Sequence, residues 1–164
     1  MKLALRDVIE QPGARAPFCC EFDLSDMEFP WGRPFRAPVR ARGAVINTAG
    51  VLTLEAVLET ALSLTCDRCA VAYERETTIP VEMVMAEQLA GDEDDEIYLL
   101  TGDELALDEV LIPALVLSME MKHLCREDCR GLCPRCGHNL NEGPCDCPPP
   151  EGDARWAALR QWRP

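Results

Sequence analysis

Cysteine is the residue type in this sequence that is best suited to chemistry. Ten of the 164 residues are cysteine, and in a reducing compartment thiols stay unpaired unless a metal holds them. Clustered thiolates at short spacings are the ligands that Zn²⁺ prefers in structural sites. Eight of the ten fall into pairs along the chain: Cys66/Cys69, Cys125/Cys129, Cys133/Cys136 and Cys145/Cys147.

The C-terminal part of the chain contains the clearest candidate site. Cys133 and Cys136 are separated by two residues, a gap that lets both sulfurs face one ion, and Gly137 permits the positive φ that such a turn needs. A turn-forming segment at 139–144 then folds the chain back toward Cys145 and Cys147. The spacing predicts one four-cysteine zinc site from these residues.

The other four paired cysteines allow two interpretations. Cys66, Cys69, Cys125 and Cys129 form a second zinc site, or Cys125 and Cys129 join the tail site and leave Cys66 and Cys69 as a pair without metal. The remaining thiols and the histidines are assigned no ligand role. We expect Cys19 and Cys20 to serve packing, and His123 and His138 to lie on the surface near the tail.

The distribution of charge along the chain indicates which kinds of partner the protein could bind. The formal net charge is −13, which repels polyanions as a whole. The excess acid lies in the middle, where residues 46–120 carry 17 acidic and 2 basic side chains. The tail is close to neutral and contains Arg126, Arg130 and Arg135, which are candidates for contacts with RNA phosphates or a partner.

Several functional classes are disfavoured by the sequence. No apolar stretch approaches the ~20 residues of a membrane span, and no apolar secretory region follows Met1, so we expect a cytoplasmic protein. No phosphate-binding loop, dinucleotide fingerprint or nucleophile elbow occurs. A catalytic zinc keeps an open position for water, whereas sulfur fills each predicted site. We therefore expect no catalytic residue and no small-molecule substrate.

The sequence predicts that the cysteines are positioned by strands followed by a helix. Residues 1–38 predict irregular chain or short strands, and period-two alternation begins at Val39 and continues after a turn at 47–50. Cys66 and Cys69 then lie at the tip of a hairpin whose second strand runs through Val84. An acidic loop at 91–96 and a strand at 97–100 follow, and Asp108 is predicted to cap an apolar helix with Pro113 near its first turn.

These elements predict an α+β fold with an antiparallel β-rich core, a C-terminal helix and a Cys-rich zinc-binding tail. The predicted division is a core domain at 1–122 and a tail at 123–164. The tail ends in a short helix, capped by Asp153 and carrying Trp156, Leu159 and Trp162, that packs on the core.

The cysteine-bearing segments also resemble a known family. The run from Leu124 to Asn141, with Cys-Pro-Arg-Cys-Gly at 133–137 and Cys-Asp-Cys at 145–147, is similar to the tail of the bacterial YceD family, the large ribosomal RNA subunit accumulation proteins. The pair at Cys66 and Cys69, the acidic loop, the apolar helix and the closing segment at 153–159 follow in the same order. The sequence departs from the family pattern at Glu120, His123 and Ala154, which affects turn geometry.

The resemblance implies a non-catalytic part in the synthesis, processing or accumulation of 23S ribosomal RNA, and hence in large-subunit assembly. The implied partners are large-subunit ribosomal RNA precursor, a basic ribosomal protein, or both. Two alternatives stay open from the residues alone. One is a zinc-binding interaction adaptor unrelated to ribosomes, and the other is a thiol- or metal-dependent enzyme.

Overall fold

The computed structural model describes residues 1–87, 97–148 and 155. The chain divides into two compact units. The first, which we call the sheet unit, comprises Met1–Leu64 and Tyr73–Met121. The second, the cysteine unit, comprises Thr65–Ala72 and Lys122–Pro164. The predicted acidic run at 91–96 and the terminal helix predicted to begin at Asp153 lie outside the described residues, apart from Arg155.

The sheet unit is built mainly from strands, as the alternating sequence predicts. The elements in chain order are β1 Lys2–Ala4, α1 Arg6–Glu10, β2 Arg15–Phe22, β3 Val39–Thr48, β4 Val51–Thr65, β5 Ala72–Ala86, β6 Ile97–Leu99, β7 Glu104–Ala106 and α2 Leu107–Ser118. A five-stranded sheet has the order β2-β3-β4-β5-β6. The β2-β3 and β3-β4 pairs are antiparallel, whereas β6 is parallel to β5. The predicted fold class, an α+β fold rich in antiparallel strands, is therefore confirmed.

Strand β4 shows why the alternation predicts the strand. Leu52, Leu54, Ala56 and Leu58 are buried, and the residues between them are exposed or half-buried. Successive side chains of a strand point to opposite faces, so one face of β4 packs into the core and the other faces outward. The strand ends at Thr65 and so delivers Cys66 to the turn that follows, as predicted.

The β3–β4 turn depends on one buried side chain. Ala49 and Gly50 both have positive φ, at 53° and 94°, which is the backbone of a two-residue hairpin turn that matches the twist of the strands. The amide of Asn47 donates to the carbonyl oxygens of Val8 and Ile9 at 2.7 and 3.2 Å, and its Oδ1 accepts from the Gly50 N–H at 2.8 Å. Asn47 therefore joins the end of α1 to the hairpin.

In the N-terminal region, for which the sequence predicts irregular chain or short strands, the structure has two strands and the short helix α1. Strand β2 is eight residues long, and Phe18, Cys20 and Phe22 on one of its faces are buried. Strand β1 pairs with β7 in a separate two-stranded sheet. The prolines and glycines that suggested irregular structure lie mostly between these elements, and Pro17 lies on an edge strand, where the missing N–H is tolerated.

Helix α2 closes the core as predicted, but its start differs. Leu107, Val110, Leu111 and Leu115 are buried. The cap position is Ala106, with no side-chain cap, because strand β7 runs directly into the helix. Asp108 lies inside the first turn, and Pro113 is an interior residue of the helix rather than part of its first turn. In the described residues, no helix has the length and hydropathy needed to cross a bilayer.

Candidate metal centres

Four sulfurs from distant parts of the sequence meet in the first cluster. Cys66, Cys69, Cys125 and Cys129 have all their Sγ atoms within 4.8 Å of one another. The Sγ atoms of Cys66 and Cys129 are 3.8 Å apart, and those of Cys69 and Cys125 are 3.7 Å apart. A tetrahedral ion with Zn–S bonds of about 2.3 Å requires sulfur–sulfur edges of about 3.8 Å. A disulfide bond is about 2.05 Å long, so this spacing fits a shared metal ion.

The turn that carries Cys66 and Cys69 is held by the backbone. The Ala70 N–H donates to the Cys66 carbonyl at 2.9 Å, and Ala70 has a φ of 57°, in the left-handed region. Asp67 and His123 then join this turn to the segment that carries Cys125. The Asp67 N–H donates to the His123 carbonyl at 2.8 Å, and the His123 N–H donates to Oδ2 of Asp67 at 2.6 Å.

Arg68 ties the same turn to the segment after Cys129. Its guanidinium donates to the carbonyl of Cys129 at 2.9 Å, and its own carbonyl accepts from the Leu132 N–H at 3.0 Å. Gly131 lies against it with a φ of +75°, and a Cβ on this residue would be 2.9 Å from the Arg68 carbonyl oxygen. Only glycine combines this φ with this approach at low cost.

The second cluster comprises Cys133, Cys136, Cys145 and Cys147, whose Sγ atoms also lie within 4.8 Å of one another. Its first turn resembles that of the first cluster. The Gly137 N–H donates to the Cys133 carbonyl at 2.9 Å, and Gly137 has a φ of 74°, as the sequence predicts. Residue 137 in this turn corresponds to Ala70 in the other. The chain thus builds two similar C-x-x-C turns with a left-handed residue after the second cysteine.

Each cluster contains a thiol whose pKa is lowered to about 6. Burial raises the pKa of the Cys66 thiol, but backbone N–H groups, chiefly those of Cys125 and Cys69, donate to its sulfur and lower its pKa to about 6. The N–H groups of Cys136 and Arg135 lower the pKa of Cys133 to about 6 in the same way. Backbone donors favour the thiolate because they stabilise its negative charge.

Other thiols in each cluster resist ionisation. Burial, followed by hydrogen bonds to Cys66 and Cys69, raises the pKa of Cys125 to about 12. A hydrogen bond to Cys136, followed by burial, raises the pKa of Cys147 to about 12. Four neighbouring thiolates repel one another, and a bound dication is the natural means of ionising all four. The donor set therefore fits a metal of Zn²⁺ type.

The two clusters also decide between the groupings that the sequence left open. Cys125 and Cys129 lie with Cys66 and Cys69, not in the tail cluster. Neither His123 nor His138 belongs to a four-sulfur group. His138 is exposed as expected, whereas the expectation of a surface position for His123 is wrong, because this side chain is buried beside the first turn.

The profile of one protein family matches residues 54–162, a range that includes all eight clustered cysteines. That family is described as "Large ribosomal RNA subunit accumulation protein YceD". The chain belongs to the YceD family. The resemblance inferred from the sequence is thereby confirmed. The family description names no enzymatic reaction.

Similar proteins occur in mycobacteria and carry the name "uncharacterized protein". The relative from Mycobacterium leprae is 25% identical over 149 residues, covering 87% of this chain and 65% of its own length. Relatives from Mycobacterium tuberculosis (strain H37Rv) and Mycobacterium bovis are each 36% identical over 67 residues, covering 41% of this chain and 32% of their own length. The chain thus spans less than two thirds of each of these relatives. No solved structure matches it.

The three arginines of the YceD tail have different surroundings. Arg126 pairs with Asp128 at 3.3 Å and donates to Oδ1 of Asn141 at 2.7 Å. Arg130 and Arg135 are exposed, and their guanidinium groups make no ion pair with any described residue. These two cations are therefore available for a ligand, whereas Arg126 is partly neutralised.

Sequence reasoning missed two residues that organise the first cluster. Arg68 lies between the two cysteines of a C-x-x-C pair, and the sequence indicates no role for it, yet it fastens the turn to Cys129. Asn141 was treated as a turn former, yet its amide reaches the sulfur of Cys129 at 3.4 Å. Asparagine and arginine suit these roles, but nothing in their local spacing indicates which distant groups they contact.

Proposed function

We propose that this protein is a non-catalytic ribosome-biogenesis factor that supports the synthesis, processing or accumulation of 23S ribosomal RNA and large-subunit assembly in the cytoplasm. The observation that carries the proposal is the YceD family match, which extends over residues 54–162 and so includes both cysteine clusters. The protein acts by binding, because the residues that would hold metal leave no position for a reacting water.

The cofactor in this proposal is zinc, with two ions. Cys66, Cys69, Cys125 and Cys129 hold one, and Cys133, Cys136, Cys145 and Cys147 hold the other. Support comes from the sulfur–sulfur distances near 3.8 Å in the first cluster, and from the all-sulfur donor sets of both clusters, whose Sγ atoms lie within 4.8 Å of one another. A zinc ion held by four thiolates has no open coordination position, and its binding stabilises the folded chain. The apparent binding free energy in small zinc modules is of order 10–16 kcal/mol.

The partner in this proposal is the precursor of the large subunit, contacted mainly through a basic ribosomal protein. Described residues 73–87 and 97–121 carry nine carboxylates and one arginine. Glu74, Glu76 and Glu82 of β5 are exposed on the same face of the strand. A surface of this sign attracts basic proteins and repels RNA.

A second contact, with RNA phosphates, is favoured by the exposed Arg130 and Arg135 together with Arg126. The charge of the metal centres opposes it, because eight thiolates with two dications bring a net charge of about −4 into the cysteine unit. The RNA contact is therefore the weaker of the two, and the two contacts predict different effects of salt and nuclease.

The deciding experiment is a pull-down of the tagged full chain from native bacterial lysate, with and without nuclease, coupled to a metal count. We expect large-subunit ribosomal proteins to co-purify with a zinc-loaded protein and to resist nuclease. Triple replacement of Glu74, Glu76 and Glu82 by Lys should abolish this capture. Replacement of Arg126, Arg130 and Arg135 by Ala should leave it largely intact and should weaken only a nuclease-sensitive, salt-dependent fraction.

Other outcomes would support the competing functions. Capture of neither ribosomal protein nor precursor RNA would overturn the ribosomal proposal and favour the unrelated adaptor. Cobalt substitution tests the non-catalytic role, since tetrahedral all-sulfur spectra agree with closed sites. A spectrum of a water-bearing site would instead favour a metal-dependent enzyme.

A further inference from the structure

Asn141 lies between two cysteines of the second cluster along the chain, and its side chain contacts a cysteine of the first cluster. It belongs to the segment between Cys136 and Cys145, the two middle cysteines of the second cluster. Its side-chain Nδ2 is 3.4 Å from the Sγ of Cys129, which belongs to the first cluster. A single amide therefore joins the loop of one centre to a sulfur of the other.

The orientation of this amide is determined by its neighbours. Oδ1 accepts from the Arg130 N–H at 2.8 Å and from the Arg126 guanidinium at 2.7 Å. Nδ2 donates to Oδ1 of Asn139 at 2.8 Å in addition to the Cys129 sulfur. Both acceptor sites and both donor hydrogens of the amide are thus used. A rotated amide would place oxygen against sulfur and N–H groups against N–H groups.

The loop that presents Asn141 depends on the second cluster. Its ends are joined wherever Cys133, Cys136, Cys145 and Cys147 share an ion. Within it, the Leu140 N–H donates to the Gly131 carbonyl at 3.0 Å, and the Glu142 N–H donates to the Asn139 carbonyl at 3.0 Å. Burial of this loop is partial, since Leu140 and Asn141 are half-buried and Glu142 is exposed. The Leu132–Asn139 bridge and the hydrogen bond from the Cys133 N–H to the His138 carbonyl at 2.8 Å also hold the first half of the loop. An ion at the second cluster would therefore add the link that closes its second half, from Asn141 to Cys145.

We propose that Asn141 is a positioning residue through which metal binding at the second cluster strengthens metal binding at the first. It acts by donating a hydrogen bond to the Cys129 sulfur at 3.4 Å, a contact that orients this ligand toward the other three sulfurs of its cluster. The inference rests on the proposal that both clusters bind metal. Because coupling between two sites is reciprocal, loading of the first cluster must strengthen binding at the second by the same factor.

The experiment measures zinc release from each cluster separately in the full chain. Zinc-loaded protein is equilibrated with increasing chelator, the exposed thiols are alkylated, and mass spectrometry reports modification of Cys66, Cys69, Cys125 and Cys129 apart from the other four. The variants are Asn141→Ala, the double change Cys136→Ser with Cys147→Ser to disable the second cluster, and the combination. His138→Ala is the matched control, since this exposed side chain lies in the same loop and outside both sulfur groups.

We expect Asn141→Ala to raise the free zinc concentration at which the first cluster releases its ion by a factor of about 10 to 100. Disabling the second cluster should weaken the first by a similar factor, and the combined variant should show no further loss. In Asn141→Ala the second cluster should weaken by the same factor as the first. His138→Ala should behave like the original protein, and circular dichroism of the strands should be unchanged in every variant.

An unchanged release midpoint for the first cluster in Asn141→Ala would overturn the inference while leaving two metal centres in place. Additive losses in the combined variant would also overturn it, because they would mean that Asn141 acts independently of the second cluster. A protein that binds no zinc at either cluster would instead refute the metal proposal itself, so the two failures are distinguishable.

Discussion

With a metal ion bound at each cysteine cluster, as proposed, disabling the first centre is expected to destabilise the chain more than disabling the second. The first centre joins residues far apart in sequence, since Cys69 and Cys125 are separated by 56 positions. The second joins near neighbours, since Cys136 and Cys145 are nine positions apart. A cross-link restricts the unfolded chain more when it closes a longer loop.

The size of this difference follows from the loop lengths. Closure of the longer loop removes about 4 kcal/mol of conformational freedom from the unfolded chain, and closure of the shorter one removes about 2.5 kcal/mol. Both centres have the same four-sulfur donor set, so the energy of the metal–sulfur bonds cancels in the comparison. The free energy of unfolding should therefore fall by about 1.5 kcal/mol more when the first centre is disabled.

The assay is urea denaturation of zinc-saturated protein, followed by circular dichroism of the strands. The compared variants are Cys69→Ser with Cys125→Ser and Cys136→Ser with Cys147→Ser. The midpoint of the first should lie roughly 0.5 to 1 M urea below that of the second. Cys19→Ser is a control in which an exposed thiol outside both clusters changes. Equal midpoints, or a lower midpoint for the second pair, would refute the loop-length reasoning.

Three further predictions concern the sheet unit. Asn47→Ala should lower the free energy of unfolding by about 2 to 3 kcal/mol, because it leaves two carbonyls and an N–H without partners. Thermal denaturation measures this loss, with Thr48→Ala at the neighbouring exposed residue as the control. An equal effect of the two changes would contradict the prediction. Ala49→Asn should raise the melting temperature by relieving roughly 1 kcal/mol of left-handed strain, and a lower melting temperature would count against this. The backbone N–H and the hydroxyl of Ser25 donate to Asp23 and hold the pKa of its carboxyl below the ordinary value of 3.8. The stability that ionised Asp23 adds is therefore present above pH 3.8 and is lost as the pH falls through the lower pKa of the folded state. Asp23→Asn should therefore flatten the acid limb of a pH–stability profile, and an unchanged slope would argue against this role.

Part of the fold could be predicted because it depends on neighbouring residues. The alternation in β4 predicts a strand, since its buried positions recur every second residue. The start of α2 could not be predicted in this way. Aspartate is a common N-cap residue, which is why the sequence predicts that Asp108 caps the helix. Because β7 pairs with β1 and leads directly into α2, the cap position is instead Ala106. Such pairing joins residues 100 or more positions apart, and no local pattern contains it.

The same distinction applies to the candidate metal centres. The residue types, the C-x-x-C spacing and the glycine after Cys136 are local properties, and by themselves they determined the expectation of zinc and the family resemblance. Which cysteines share a cluster was decided only by the tertiary structure, which brings Cys66 and Cys69 to Cys125 and Cys129. The contact of Asn141 with Cys129 was decided in the same way. Local spacing restricts the geometry of one turn, whereas the meeting of two turns depends on the path of the whole chain between them.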